Sequence, residues 1–175
     1  MKTVGKIIQK IDHFIMKVEE YILSYAVILI AVMVVGNVIS RTITGSSWTF
    51  SAEVSRFAVI LATFMGISYA ARKGRHISMS ALFDTVPFKF RKVLAIVIPA
   101  FTSIVLFFLT YLAFKYLMSV YSTGRVTPAL QVPVYIMTLF VPVGLFLGGL
   151  QFVRNMWINI KEKEVYLATE KKDYS

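Results

Sequence analysis

Four long stretches of this chain contain no aspartate, glutamate, lysine or arginine, and they constrain its fold more than any other feature. They cover residues 21–40, 57–71, 93–114 and 126–153. A helix that crosses the hydrocarbon core of a membrane needs about 20 consecutive apolar residues. Because hydrophobic residues make up 57% of the chain and the mean hydropathy is +0.70, we expect an all-α integral membrane protein with four transmembrane helices.

The second stretch is too short to span a membrane as it stands. Residues 57–71 cover only about 22 Å as a helix, so the span has to begin near residue 50. This extension brings Glu53 and Arg56 to the membrane edge. The two residues are three positions apart and share a helix face, so we expect that they are able to pair there.

The fourth stretch is too long for one straight helix and contains three prolines. We expect an extended or re-entrant entry over residues 127–132, which includes Pro128, and a helix that begins near Pro133. Pro142 should kink this helix, because it removes one main-chain donor. The predicted spans are therefore about 21–41, 50–71, 93–115 and 133–157.

We place the four-helix domain at residues 21–158. The segments before and after it differ in their pattern of apolar and charged residues. Residues 1–20 carry apolar side chains at helical spacing, and we expect an amphipathic interfacial helix. Such a helix either lies on lipid or packs against a partner. Residues 159–175 form a charged tail that we expect to be cytoplasmic.

Lysine and arginine are distributed very unevenly between the predicted loops. Fifteen of the 19 lie in the N-terminal segment, the central loop or the tail, and only Arg41, Arg56, Lys115 and Arg125 lie in the other two loops. The positive-inside rule then places both termini and the central loop in the cytoplasm of a bacterium, with the spans in its inner membrane.

The net charge of +10 does not indicate nucleic acid, because the basic residues lie between apolar spans. Anionic phospholipid is the better partner for them. The candidate headgroup residues are Arg72, Lys73, Arg75, His76, Lys89, Arg91 and Lys92.

The residues that would support chemistry are missing from the sequence. There is no cysteine, which excludes disulfides and thiolate-bound metals. Both histidines, His13 and His76, fall outside the spans, so axial haem ligation is unfavoured. No charged residue lies near the middle of a span, where a carrier would need one. We therefore expect no enzyme, no metal and no cofactor. A small self-contained channel or carrier, or the membrane anchor of a redox complex, remains as an alternative.

A stripe of small residues runs along the second span, at Ala58, Ala62, Gly66 and Ala70, and a similar pair occurs at Gly144 and Gly148. Small residues let two helices approach closely in lipid. They either pack the chain's own helices together or bind a larger subunit. With the residues at the outer membrane edge, they form our candidates for a partner interface or membrane-edge site: Arg41, Trp48, Glu53, Arg56, Ala58, Ala62, Gly66, Ala70, Pro128, Pro133, Gly144 and Gly148.

An ordered series of residues resembles the small membrane subunit of tripartite ATP-independent periplasmic (TRAP) transporters over about residues 20–155. The series runs through Arg41, Trp48, Glu53, Gly66, the basic stretch 72–77, Leu82, Pro87, Arg91, residues 127–130, Pro133 and residues 142–144. Thr42 stands where the family often has an aromatic residue, and Ser78 and Ser80 stand where it often has an acidic one.

This resemblance implies a non-catalytic scaffold subunit of a three-part importer of an organic acid. Its expected partners are a large membrane subunit, which carries the solute and sodium, and a periplasmic substrate-binding protein. Over its whole length the chain looks most similar to sialic acid systems, with C4-dicarboxylate import as the next expectation.

Overall fold

The computed structural model describes residues 2–73 and 87–161, with the backbone alone for residues 2–13, 72–73 and 88–89. The described residues form four helices: α1 (Lys2–Thr44), α2 (Ser51–Lys73), α3 (Phe88–Thr123) and α4 (Val134–Lys161). Each one is long and apolar enough to cross a membrane. The chain is therefore an all-α integral membrane protein, as predicted. Arg75, His76 and most of the charged tail lie outside the described residues.

The first helix is longer than its predicted span. The N-terminal segment is helical, and it continues into the span as one helix of 43 residues. No proline interrupts this stretch. We predicted that the N-terminal turns lie in the plane of the membrane surface, and this stays a prediction.

The four helices form a row in the order α1, α2, α4, α3. Extensive contacts join α1 to α2, α2 to α4 and α4 to α3, and other pairs of these helices have little or no contact. The helices α1 and α3 thus lie at the two edges. Most of their large apolar side chains are exposed, which is favourable in lipid because the acyl chains are as apolar as the side chains.

Glycines bring the two central helices together. A Cβ added at Gly144 would collide with the main-chain carbonyl of Phe64 on α2, and one at Gly148 would lie 2.7 Å from Cγ2 of Ile67. The side of α4 that carries these glycines is buried. The pair predicted at Gly144 and Gly148 therefore packs α4 against α2 within the chain.

The fourth helix begins directly after Pro133 and continues through Pro142. Its start agrees with the predicted one, because proline is well tolerated where the first amides of a helix have no intrahelical partner. The side chain of Thr138 donates a hydrogen bond of 3.0 Å to the carbonyl of Val134 one turn earlier. Pro142 therefore lies inside the helix and does not end it.

Candidate functional site: a loop anchored by Glu53

The two described connections, between α1 and α2 and between α3 and α4, lie at the same end of the row. We call it the outer end, after its predicted orientation. Among the described residues, its only carboxylate is that of Glu53. Its basic residues are Arg41, Arg56, Lys115 and Arg125.

The connection between α3 and α4 is a compact loop, residues 125–133, with its own hydrogen bonds. The N–H of Thr127 donates to the carbonyl of Val132 (2.9 Å), and the N–H of Val134 donates to the carbonyl of Arg125 (2.9 Å). The Thr127 hydroxyl accepts from the N–H of Val132 (3.1 Å). The loop is thus closed on itself, although Gln131 has to adopt a positive φ of 55°.

The side chain of Glu53 anchors this loop to α2. Its two carboxylate oxygens accept hydrogen bonds from the N–H groups of Ala129 (2.7 Å) and Leu130 (2.9 Å). Hydrogen bonds to an ionised acceptor are stronger than neutral ones. Because Ala129 and Leu130 follow Pro128 in a turn, both amides point the same way, and one carboxylate satisfies them together.

The ion pair that we expected between Glu53 and Arg56 does not form between these two described side chains. The oxygens of Glu53 are directed to the loop amides, and Arg56 acts on the carboxylate only through charge attraction. Arg56 is exposed. It lines one open cavity with Thr49, Ala52 and Pro128 and another between α2 and α4.

The connection between α1 and α2 is held by Trp48, which folds back onto α1. Its ring lies over Gly36, where a Cβ would be 2.8 Å from two ring atoms. The main-chain N–H of Trp48 donates to the side-chain oxygen of Asn37 (2.7 Å). The Trp48 ring stacks on Phe50 with the centroids 5.8 Å apart. The Ser51 hydroxyl adds a bond of 2.8 Å to the carbonyl of Met33.

The remaining outer-end candidates are spread out. Arg41 is exposed in the last turn of α1, Pro128 is exposed in the anchored loop, and Pro133 is half-buried just before α4. The structure therefore brings together Glu53, Arg56 and Pro128, but not Arg41.

The small residues of α2 differ in their surroundings. Ala58 is fully buried and lines a groove between α1 and α2 with Ala26 and Leu29. A Cβ on Gly66 would be 3.4 Å from Leu23 of α1. Ala62 and Ala70 are half-buried. Packing within the chain thus accounts for Ala58 and Gly66, and a partner contact at this stripe stays a prediction.

The headgroup candidates that the structure describes lie at the opposite end of the row. Arg91 and Lys92 are half-buried at the start of α3. For Arg72, Lys73 and Lys89 only the backbone is described. Their contact with lipid stays a prediction.

Several polar residues of the spans form hydrogen bonds within the structure, whereas the buried hydroxyl of Ser68 has no partner among the described residues. Asn37 accepts the Trp48 amide. The hydroxyls of Thr102 and Ser103 donate to the carbonyls of Ile98 (2.9 Å) and Ala100 (2.8 Å) in their own helix. The hydroxyls of Thr102 and Ser103 are therefore satisfied by main-chain carbonyls of their own helix.

Sequence reasoning missed a group of buried polar residues at the end of the row opposite the outer end. Gln151, Asn155 and Asn159 follow each other on the buried face of α4, and Asn159 donates to the side-chain oxygen of Asn155 (2.7 Å). Glu19 of α1 is also buried. The spacing of four residues between these amides was the available signal, since it places them on one helix face.

The spans, the helix row and the anchored loop define a multi-pass membrane protein in which several described polar groups bond within the chain. The comparison with known proteins agrees with this class. Residues 30–162 match the family described as the DctQ component of tripartite ATP-independent periplasmic transporters, and the chain belongs to this family. It is thus a multi-pass small permease subunit of the inner membrane, as the resemblance implied.

Two relatives are described as TRAP transporter small permease proteins. The ectoine TRAP transporter small permease protein TeaB of Halomonas elongata is 44% identical over 163 residues, which cover 93% of this chain and 84% of the relative. A TRAP transporter small permease protein of Haemophilus influenzae is 25% identical over 118 residues, which cover 67% of this chain and 72% of the relative. Neither description mentions sialic acid.

Proposed function

We propose that this chain is the scaffold subunit of a TRAP importer and that it presents the loop anchored by Glu53 to the periplasmic substrate-binding protein. Small permease subunits of this family work with a large membrane subunit and a binding protein. The chain itself contributes a fixed surface. The large membrane subunit carries the solute and the coupled sodium ion.

The proposed orientation has both termini in the cytoplasm. The distribution of lysine and arginine supports it, with fifteen of the 19 on the side of the termini and the central loop. The outer end then faces the periplasm, where a binding protein would approach.

One observation carries the proposal: the carboxylate of Glu53 accepts hydrogen bonds from two consecutive amides of the loop. A loop that is fixed before its partner arrives loses less conformational entropy on binding. Pro128, Ala129 and Leu130 are exposed at its surface, and Leu130 offers an apolar side chain that is 42% exposed. We assign this small exposed surface of the fixed loop to contact with the binding protein.

We propose ectoine, or a similar small zwitterionic carboxylate, as the solute of the assembled importer. The 44% identity to an ectoine system supports this choice over sialic acid and C4-dicarboxylates. The solute is bound by the other subunits, so no residue of this chain is assigned to it.

The test is uptake by the reconstituted complex of this chain, its large subunit and its binding protein. Glu53→Ala should raise the binding-protein concentration that gives half-maximal uptake, because the loop loses its anchor, while the large subunit still co-purifies. The matched control is Glu20→Ala, an exposed glutamate near the other end of the row. Unchanged uptake kinetics in Glu53→Ala would refute a role for the loop.

The scaffold role and the solute have separate tests. A tagged chain should co-purify with one large membrane protein from mild-detergent membranes, and recovery of the chain alone would refute the scaffold role. Competition of uptake by unlabelled ectoine, sialic acid and a C4-dicarboxylate identifies the solute independently.

A further inference from the structure

A cavity at the outer end has a composition that the scaffold role does not explain. It measures about 310 Å³ and lies among α2, α3, α4 and the start of the anchored loop. Its polar lining includes Glu53, Arg56 and Tyr116, with Thr127 of the anchored loop. Apolar side chains of the spanning helices also line it: Ile60, Val134, Met137 and Val141.

Arg56 forms no hydrogen-bonded ion pair with a described carboxylate, although the charge of Glu53 attracts it. Glu53, the one described acidic residue at this end, gives its oxygens to the loop amides. A guanidinium at a membrane edge needs acceptors for its five donors, and phosphate oxygens fit this fork in a bidentate manner. Counted over the described residues, the outer end is basic, with four cations and one carboxylate. Its charge therefore favours an anionic group at Arg56.

The rest of the cavity favours a hydrocarbon chain. Met137 is buried, and Ile60 and Val141 are half-buried. These residues lie within candidate membrane spans, and from Val134 to Val141 the cavity follows α4 for about 10 Å. On the opposite side Tyr116, which is 60% exposed, adds an amphipathic ring of the type found at membrane interfaces.

We propose that this cavity binds one membrane phospholipid, with its phosphate on Arg56 and an acyl chain along Ile60 and Val141. A cation at the membrane edge above an apolar groove matches the two parts of a phospholipid. An acidic segment of a partner protein is the competing occupant, and the experiment separates the two.

The experiment uses the full chain in complex with its large subunit, in nanodiscs of phosphatidylethanolamine and phosphatidylglycerol that carry a photoreactive group on the acyl chain. After illumination, mass spectrometry locates the labelled peptides. We expect label in the peptides around residues 56–60 and 134–141. Label confined to the exposed faces of α1 and α3 would overturn the proposal.

Three variants test the role of Arg56. Arg56→Ala should reduce labelling at these peptides about tenfold, because the phosphate loses its charge-assisted contact. Arg56→Lys should retain part of the labelling, since the charge stays and the bidentate fork is lost. The control is Arg41→Ala, which removes an equal charge at the same end but outside the cavity. Equal labelling in Arg56→Ala and Arg41→Ala would refute the assignment.

The copies of the large subunit recovered with each variant distinguish lipid from protein. A lipid site predicts that Arg56→Ala keeps the large subunit and loses the label. Loss of the large subunit with the label retained would show that Arg56 contacts a protein, and would overturn the proposal. The scaffold role is tested by co-purification of the wild-type chain, so a failure of the lipid proposal in these variants is distinguishable from a failure of the scaffold role.

Discussion

Gly144 on α4 lies directly against the main-chain carbonyl of Phe64 on α2, so that no Cβ fits between the two helices. Glycine inside a helix costs about 1 kcal/mol relative to alanine. The close approach offsets this, because helices in lipid associate mainly through van der Waals contact. The contact that joins the two halves of the row thus depends on the absence of a side chain at one position.

The first prediction concerns this contact. Gly144→Ala should lower the free energy of unfolding by about 1 to 3 kcal/mol, because the new methyl group overlaps main-chain atoms that cannot rotate away. Thermal unfolding in one detergent measures the effect. Gly66→Ala is the matched control, since its Cβ would meet Leu23 at an ordinary 3.4 Å. Equal melting temperatures for the two variants would contradict the packing described.

The second prediction concerns the anchor of the loop. Glu53→Ala removes the acceptor of the Ala129 and Leu130 amides, so both should exchange hydrogen with solvent faster, while the helical amides of α4 keep their protection. Glu53→Gln should have a smaller effect, because one carbonyl oxygen remains. Hydrogen exchange with mass spectrometry on the loop peptide measures both. Unaltered exchange in Glu53→Ala would show that the loop holds its shape without the carboxylate.

The third prediction distinguishes an anchor from an ion pair. If Glu53 mainly paired with Arg56, the double variant Glu53→Arg/Arg56→Glu would restore what each single reversal loses. The geometry predicts no recovery, since an arginine at position 53 has no acceptor for the loop amides. Uptake by the complex and exchange of the loop peptide are the two measurements. Recovery of both in the double variant would favour the ion pair.

The fourth prediction concerns the contact between Trp48 and Gly36. Gly36→Ala would place a methyl group 2.8 Å from two atoms of the indole ring, so the ring has to move away from α1. Quenching of Trp48 fluorescence by acrylamide should then increase, in a Trp157→Phe background that leaves one tryptophan. Val35→Ala, at an exposed neighbouring position, is the control and should leave the quenching unchanged.

The fifth prediction concerns the buried amides of α4. Asn159→Ala removes donors to the main-chain and side-chain oxygens of Asn155, at 3.0 and 2.7 Å. The loss should destabilise the protein by roughly 1 to 2 kcal/mol. Ile160→Ala, at an adjacent position that is 54% exposed, should have a smaller effect. Thermal unfolding again provides the comparison, and a larger loss in Ile160→Ala would contradict the buried arrangement.

The helices could be predicted from the sequence because span length is a local property. Runs without charge, the proline positions and the extension of the second span to Glu53 indicate α2, α3 and α4 as helices, although α3 (Phe88–Thr123) extends beyond the predicted span 93–115 at both ends. The unbroken α1 was not predicted, since apolar periodicity before residue 21 and continuous hydrophobicity after it suggest two environments rather than one helix.

The partner of Glu53 could not be predicted, because it depends on which helices are neighbours. Ala129 lies 76 positions further along the chain, and its N–H carries no side-chain signature. Arg56 was the only partner visible from spacing. The order of the helices in the row could not be predicted for the same reason. Gly144 and Gly148 indicate a close helix contact, but nothing in their spacing identifies α2 as the partner.

The order of the row also bears on how the protein is made. The contacts that close the first hairpin, from Trp48 to Gly36 and from Ser51 to Met33, lie entirely within α1, α2 and the turn between them. This hairpin is complete as soon as α2 has been synthesised. The two amides that bind the carboxylate of Glu53 belong to the loop after α3, so they are synthesised later than the first hairpin and α3. The hydrogen bonds of Glu53 therefore form only once the second hairpin has joined the first.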